Sequence, residues 1–254
     1  MAILNENYVH ADYKARVLGS YNLLKSILDY SAKNKTLIKK QISDADERTI
    51  AKGNNPGKDS KFATEYKPSA TPQNITIKSF VVEEYTDENG RTRYRPTEIP
   101  KTVTVPYLAE YIATKEVNTP YAYVLLHPDV KVLDNLKTHG IKVEKLNKAT
   151  KLEVERYKIN EIIGGPNLNQ GHYNTLLKGE FVIENLDFEA GTYIVRTGQK
   201  LGNLVTYLLE PESDDGLLYW NYFDKYLAPQ WGRNYFPYPV YKVMKKIKLP
   251  TDTE

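Results

Sequence analysis

The hydrophobic period of this chain changes from helical to strand-like close to residue 60, and the change divides the kinds of structure available on either side. Before it, Tyr13, Val17, Tyr21, Leu24 and Leu28 recur at steps of three and four, which is one stripe of an amphipathic helix. Asp12 and Ser20 are both residue types that open helices, and the apolar spacing favours Asp12. Gly19 weakens that helix locally and leaves room for a neighbour to approach closely. A second helical stretch runs through Leu37, Ile38 and Ile42 to about Ile50. The run Gly53-Asn54-Asn55-Pro56-Gly57-Lys58-Asp59-Ser60 then breaks it and reads as a linker.

Beyond the linker the spacing is that of strands. Ile75, Ile77 and Val81 alternate with Thr76, Lys78 and Phe80, and Asp87-Glu88-Asn89-Gly90 carries the Asn-Gly signal of a tight hairpin. A second strand is expected over Lys101–Val105, bounded by Pro100 and Pro106. Tyr121–Leu126 is a continuous apolar run suited to a central strand. Val130–Thr138 follows as a short helix with Val130, Leu133 and Leu136 on one face and Gly140 at its C-terminal cap. With Ile141–Leu146 as the next strand, this makes a strand–helix–strand unit. Lys151–Ile163 reads as a long strand with a bulge, Gly164–Asn167 as a turn, and Tyr173–Ile183 as a strand. Ala190–Arg196 is a turn and strand. The segment from Gly198 leads into a helix ending at Leu209, and a second short helix is expected to hold Trp220, Phe223 and Tyr226. The fold class is therefore α/β: helices first, then a β-rich mixed region. Domain boundaries fall at 1–52, 53–60 (linker) and 61–254.

Composition excludes several functions. The net charge is +3 from 35 basic and 32 acidic residues, with no basic block, so no nucleic-acid partner is indicated. No apolar run reaches the length of a membrane span, and Met1-Ala2-Ile3-Leu4 is not a signal peptide. With no cysteine there is no disulfide, thiolate metal site or cysteine nucleophile. No serine lies in a Gly-x-Ser-x-Gly setting, and Gly164-Gly165-Pro166 lacks the residues of a phosphate loop. The 21 tyrosines, against 6 phenylalanines, suit half-buried sheet positions or a sugar-facing surface.

The start of the chain has its own pattern. Ala2-Ile3-Leu4 reads as the tail of a buried strand, running into Asn5-Glu6-Asn7-Tyr8 and then the first helix. This stretch, with Asp12-Tyr13-Lys14-Ala15-Arg16-Val17, is similar to the place in the zinc carboxypeptidase family where the last strand of the catalytic domain delivers a glutamate. The likeness is to the larger bacterial members, which carry a C-terminal extension. Gly191-Thr192-Tyr193-Ile194-Val195, Leu208-Leu209-Glu210-Pro211-Glu212-Ser213-Asp214-Asp215-Gly216 and Trp220-Asn221-Tyr222-Phe223-Asp224 resemble the close of that extension. The middle of the chain is only loosely similar.

The resemblance implies a peptidase acting at the C-terminus of peptide or protein substrates. In that family zinc is held by two histidines and a glutamate, and it polarises the scissile carbonyl and binds water. A second glutamate is the general base and acid, and Glu6 matches it. The family's zinc ligands and the residues gripping the substrate carboxylate lie upstream of this position. The resemblance thus implies zinc in the intact enzyme, none of its ligands in this chain, and an upstream catalytic segment as partner. It also implies a periplasmic or extracellular setting, and makes residues 61–254 an accessory domain. Without the resemblance, Glu6 reads as a solvated carboxylate before a helix.

Other candidate sites are weaker. His10, His127, His139 and His172 are the four histidines, and none stands at ligand spacing from another histidine or a carboxylate. His139 reads as the end of a helix. Glu210, Glu212, Asp214 and Asp215 are a possible calcium cluster, but capping of the next helix by Ser213 or Asp214 is the better reading. Trp220, Tyr222, Trp231, Tyr235, Phe236 and Tyr238 either line a carbohydrate-binding face or clamp the C-terminus to the fold, the clamp being favoured. The alternative to the enzyme is a stand-alone module that binds carbohydrate or peptide through a tyrosine-rich face, and a third reading is a structural domain docking another subunit.

Overall fold

A computed structural model describes residues 3–9, 11–57, 59–126, 128–232 and 234–253. It has α1 (Tyr13–Lys33) and α2 (Lys35–Asn54), a two-stranded arm, and a seven-stranded sheet carrying two further helices. The mixed helix-and-strand class read from the sequence holds. The neighbouring strands of the large sheet all pair antiparallel.

Asp12 caps α1 as expected, its Oδ1 accepting from the Ala15 N–H at 2.9 Å. The helix buries nothing: Tyr13 is 81% exposed, and Val17, Tyr21, Leu24 and Leu28 are exposed too. The strand tail expected at the start is absent from the described residues. Ala2 lies outside them, and Ile3 and Leu4 lie in no strand, with Leu4 82% exposed. The reason is physical, since a strand end with no neighbouring strand has no ladder to join.

Helix α2 runs past its expected end to include Gly53 and Asn54. Glycine is needed there for a close approach and not for a break. A Cβ on Gly53 would stand 2.2 Å from the Thr197 carbonyl carbon and 2.4 Å from the Gly198 nitrogen. The same face is held by Lys200–Asp46 at 3.1 Å.

The arm is two ribbons in series. Strands β1 (Lys61–Ser69) and β4 (Glu110–Asn118) pair at its base, and β2 (Asn74–Thr86) pairs with β3 (Thr92–Pro106) beyond. The hairpin closes at Asp87–Gly90 as its turn chemistry predicts, with Gly90 at φ +75° and the Asp87 carboxylate accepting from the Asn89 and Arg91 N–H groups. Strand β3 runs through Pro96 and Pro100 and ends at Pro106, longer than the prolines suggested. A two-stranded ribbon leaves an outward edge on each strand where a missing N–H does no harm. Neither β2 nor β3 contains a buried residue.

In the large sheet the order is β11-β6-β9-β5-β10-β7-β8, so β5 (Ala122–Leu125) is the fully buried centre. Strand β5, α3 (Val130–Thr138) and β6 (Glu144–Leu146) form the anticipated strand–helix–strand unit. However, β9 (Tyr193–Arg196) lies between its two strands and runs antiparallel to both. The face α3 buries is Val132, Leu133 and Leu136; Val130, expected there, is exposed beside the cap at Asp129. Gly140 ends the helix at φ +83°.

Alternation divides the core between the two sheet faces. Tyr123, Tyr157, Val195 and Val240 pack with α3 and α4 (Gly202–Leu209) on one face. Ala122, Val124, Leu152, Ile194 and Tyr241 pack on the other. Strands β7 (Thr150–Gly164) and β8 (Thr175–Phe188) form a long hairpin with the anticipated irregularity at Ile159–Glu161. The helix expected around Trp220 is a series of turns with one 3-10 turn at Asp224–Tyr226. Asn221, at φ +68°, sits in the left-handed region and cannot continue a right-handed helix. Strands β10 (Val240–Val243) and β11 (Thr251–Thr253) complete the sheet.

Candidate functional site

Glu6 stands exposed in the irregular segment before α1. Its neighbour Asn7 fixes that segment to the helix: Asn7 Nδ2 donates to the Arg16 carbonyl at 2.7 Å and to Ser20 Oγ at 3.1 Å. Gly19 makes room for this, since a Cβ there would meet Asn7 Nδ2 at 3.2 Å. The close neighbour anticipated at Gly19 is thus a side chain of the same chain. The apolar stripe of α1 borders an open depression formed by Asn7, Tyr13, Arg16, Val17, Ser20 and Tyr21.

Of the four histidines, His10 and His127 lie outside the described residues. His139 is the C-cap of α3, as read from sequence. Among the described residues no three His, Asp or Glu side chains converge as a metal's ligands. A zinc ion has no donor set among them.

The acidic cluster does not cap a following helix: Phe223, and neither Ser213 nor Asp214, precedes the next helical turn. Glu210 and Glu212 turn inward, while Asp214 accepts from the Tyr207 hydroxyl and Asp215 from Trp220 Nε1, each at 2.5 Å. Glu210 ends α4 with its side chain 1% exposed. Tyr123 donates to its Oε1 at 2.6 Å, and Lys242 Nζ stands 3.5 Å from it. Lys242, itself 4% exposed, is 3.6 Å from Glu155 Oε2 and lies over the Phe181 ring, 3.4 Å from its centroid. Tyr157 donates to Glu212, which also pairs with Lys115 of the arm. Burial pushes the Glu210 carboxyl up, against the opposing pull of Lys242 and the Tyr123 hydroxyl. The Tyr123 and Tyr157 hydroxyls are raised by burial, then by the Glu210 charge. A cavity of about 360 Å³ opens beside this cluster.

Sequence reasoning missed this cluster. The available signal was Lys242 in the four-residue apolar strand Val-Tyr-Lys-Val, where alternation puts it on the face of Val240. Each carboxylate of the cluster has a lysine partner, Lys242 serving both Glu155 and Glu210. The cluster locks the end of α4, the sheet and the base of the arm together.

The aromatic run divides as well. Tyr238 is buried and donates to the Leu209 carbonyl at 3.1 Å, a clamp as expected. Trp231, by contrast, is 85% exposed, and Tyr235 and Phe236 are exposed. The large sheet presents no tyrosine face to solvent at Tyr121, Tyr123, Tyr157 or Tyr241, which are all buried. Among the described residues no helix is long and apolar enough to cross a membrane.

Comparison with known proteins adds one likeness. No family model and no solved structure matches the chain. Carboxypeptidase 2 of Trichophyton tonsurans is 28% identical over 96 residues, which is 38% of this chain and 18% of that protein. The chain therefore has a partial resemblance to a carboxypeptidase and spans less than a fifth of that relative's length.

Proposed function

We propose that this chain is the C-terminal portion of a zinc-dependent carboxypeptidase, with Glu6 as its general base and acid. In this reading residues 1–52 finish the catalytic domain, 53–60 join it to the remainder, and 61–254 form an accessory domain. The zinc ligands belong to an upstream segment, so the isolated chain is inactive. Glu6 takes a proton from the attacking water and returns it to the leaving amine.

One observation carries the reading: the bare apolar stripe of α1 directly follows the Glu6 segment. An amphipathic helix buries its stripe against another layer, and none of the described residues supplies that layer. The end of a catalytic domain, separated from its sheet, has this form. The partial likeness to a carboxypeptidase, which covers only 18% of the relative's length, agrees with it.

The test is an assay of the longer polypeptide that contains this chain. It is expected to release C-terminal residues from peptides and to stop on zinc chelation. Glu6→Gln is expected to lower kcat by about 10²–10⁴-fold with zinc content unchanged. An upstream frame without zinc ligands, or a Glu6→Gln enzyme with full activity, would defeat the proposal.

A further inference from the structure

A second cavity, of about 570 Å³, lies between the tip of the β7–β8 hairpin, the N-terminal end of α3 and the turns after α4. Its size falls within the roughly 300–1,000 Å³ of small-ligand sites. It is independent of Glu6 and of the buried Glu210–Lys242 cluster.

His172 sits on its wall in a defined state. Its Nδ1 is 2.9 Å from Asn221 Oδ1. The Asn221 amide orientation is fixed by its other contacts: Nδ2 reaches the Tyr173 carbonyl at 3.0 Å, Thr175 Oγ1 at 3.0 Å and Asp224 Oδ2 at 2.9 Å. A carbonyl and a carboxylate only accept, so the atom facing them is the NH₂ group. The amide oxygen therefore faces His172 and requires a proton on Nδ1. In the neutral ring Nε2 is then an acceptor.

The backbone is shaped to hold this arrangement. Asn221 is left-handed at φ +68°, and Gln170 at φ +49° with Gly171 at +86° turns the hairpin tip so that His172 follows directly. A glutamine at positive φ is uncommon, and such positions gather at ligand sites. His172 also packs edge-on with Trp220, ring centroids 5.5 Å apart.

The remaining lining indicates what fits. Asp129 and Asp224 are matched by Lys131 and Lys225, with Lys225 paired to Asp129. Two carboxylates and two ammonium groups leave no net charge to attract an anion or a cation. Trp220 and Tyr222 add apolar ring surface beside these donors and acceptors. Alternating polar groups next to aromatic rings suit a ligand with hydroxyls around a saturated ring whose C–H face packs on an aromatic side chain. We infer that the cavity bounded by His172, Trp220 and the Lys225–Asp129 pair binds a neutral sugar residue of a glycan, with His172 Nε2 accepting a ligand hydroxyl.

The chain's two tryptophans make the test direct. Trp231→Phe leaves Trp220 as the sole tryptophan and reporter, and its emission is titrated with cellotriose, maltotriose and chitotriose. A saturating change with at least one is expected. Adding His172→Ala should weaken that binding by about tenfold, the loss of one hydrogen bond. Lys131→Met, at an exposed rim position, serves as a second variant and should weaken it with unchanged far-ultraviolet dichroism. No saturable response to any of the three sugars overturns the inference. So does a response to free glycine in their place, or sugar binding that survives both substitutions.

Discussion

Replacing Lys242 with methionine tests whether the buried cluster holds the fold together. Lys242 Nζ stands 3.5 Å from a carboxylate that is 1% exposed, and its own side chain is 4% exposed. At an effective dielectric of about 20, two unit charges at that distance attract by roughly 5 kcal/mol. Desolvation offsets much of this in the intact pair, but breaking such a pair strands a buried charge and costs about 3–5 kcal/mol. Lys242→Met should therefore lose about 3–5 kcal/mol of unfolding free energy at pH 7, measured by urea denaturation.

The pH dependence separates this from simple mispacking. Burial raises the Glu210 pKa, and the Lys242 charge is the largest influence opposing that rise. Without Lys242 the folded-state pKa climbs further above the unfolded value of about 4.3. A group raised in this way binds its proton more tightly when folded. Its contribution is fully present below the unfolded pKa and is lost as pH rises through the folded pKa. The variant should thus approach wild-type stability near pH 4 and fall progressively behind toward pH 7. Glu210→Gln combined with Lys242→Met should cost at least about 1 kcal/mol less than the two single losses summed. An equal deficit at pH 4 and pH 7, together with additive losses, would refute the electrostatic account.

Two other outcomes follow from the packing. Gly53→Ala gains about 1 kcal/mol of helix propensity but drives a Cβ into the Thr197–Gly198 backbone, for a net loss of about 1–3 kcal/mol in the same assay; a stabilised variant would mean that α2 does not dock there. Val17→Ser with Leu24→Ser changes an exposed stripe, so the isolated chain should shift by no more than about 0.5 kcal/mol per site. A loss beyond about 2 kcal/mol would show that the stripe is covered within the chain.

Local chemistry was legible wherever neighbours in sequence decide the structure. Asp12 caps α1, Asp87–Gly90 turns the arm, and Gly140 ends α3, because each rests on contacts within a few residues. Val130 was misplaced because helical spacing alone does not fix which stripe faces the core; the cap at Asp129 and packing through Val132 set it. The helix foreseen at Trp220 failed for a related reason. Its apolar spacing is helical, but the Asn221 side chain reaches Tyr173 and Thr175, more than forty positions away, while its backbone turns left-handed.

The same reasoning explains why the acidic cluster was read as a cap. A run such as Glu-Pro-Glu-Ser-Asp-Asp before an apolar stretch has the composition of a helix start, and composition carries no information about distant partners. Glu210 is taken inward by Tyr123, 87 positions earlier, and by Lys242, 32 positions later. A buried carboxylate needs such partners, so its role is set by the sheet order that brings β5 beside β10. His172 follows the same logic: it lacks metal-ligand spacing because its partner is Asn221, 49 positions away across the mouth of a cavity. Both polar constellations lie where the long β7–β8 hairpin and the turns after α4 meet, a junction of segments far apart in the chain.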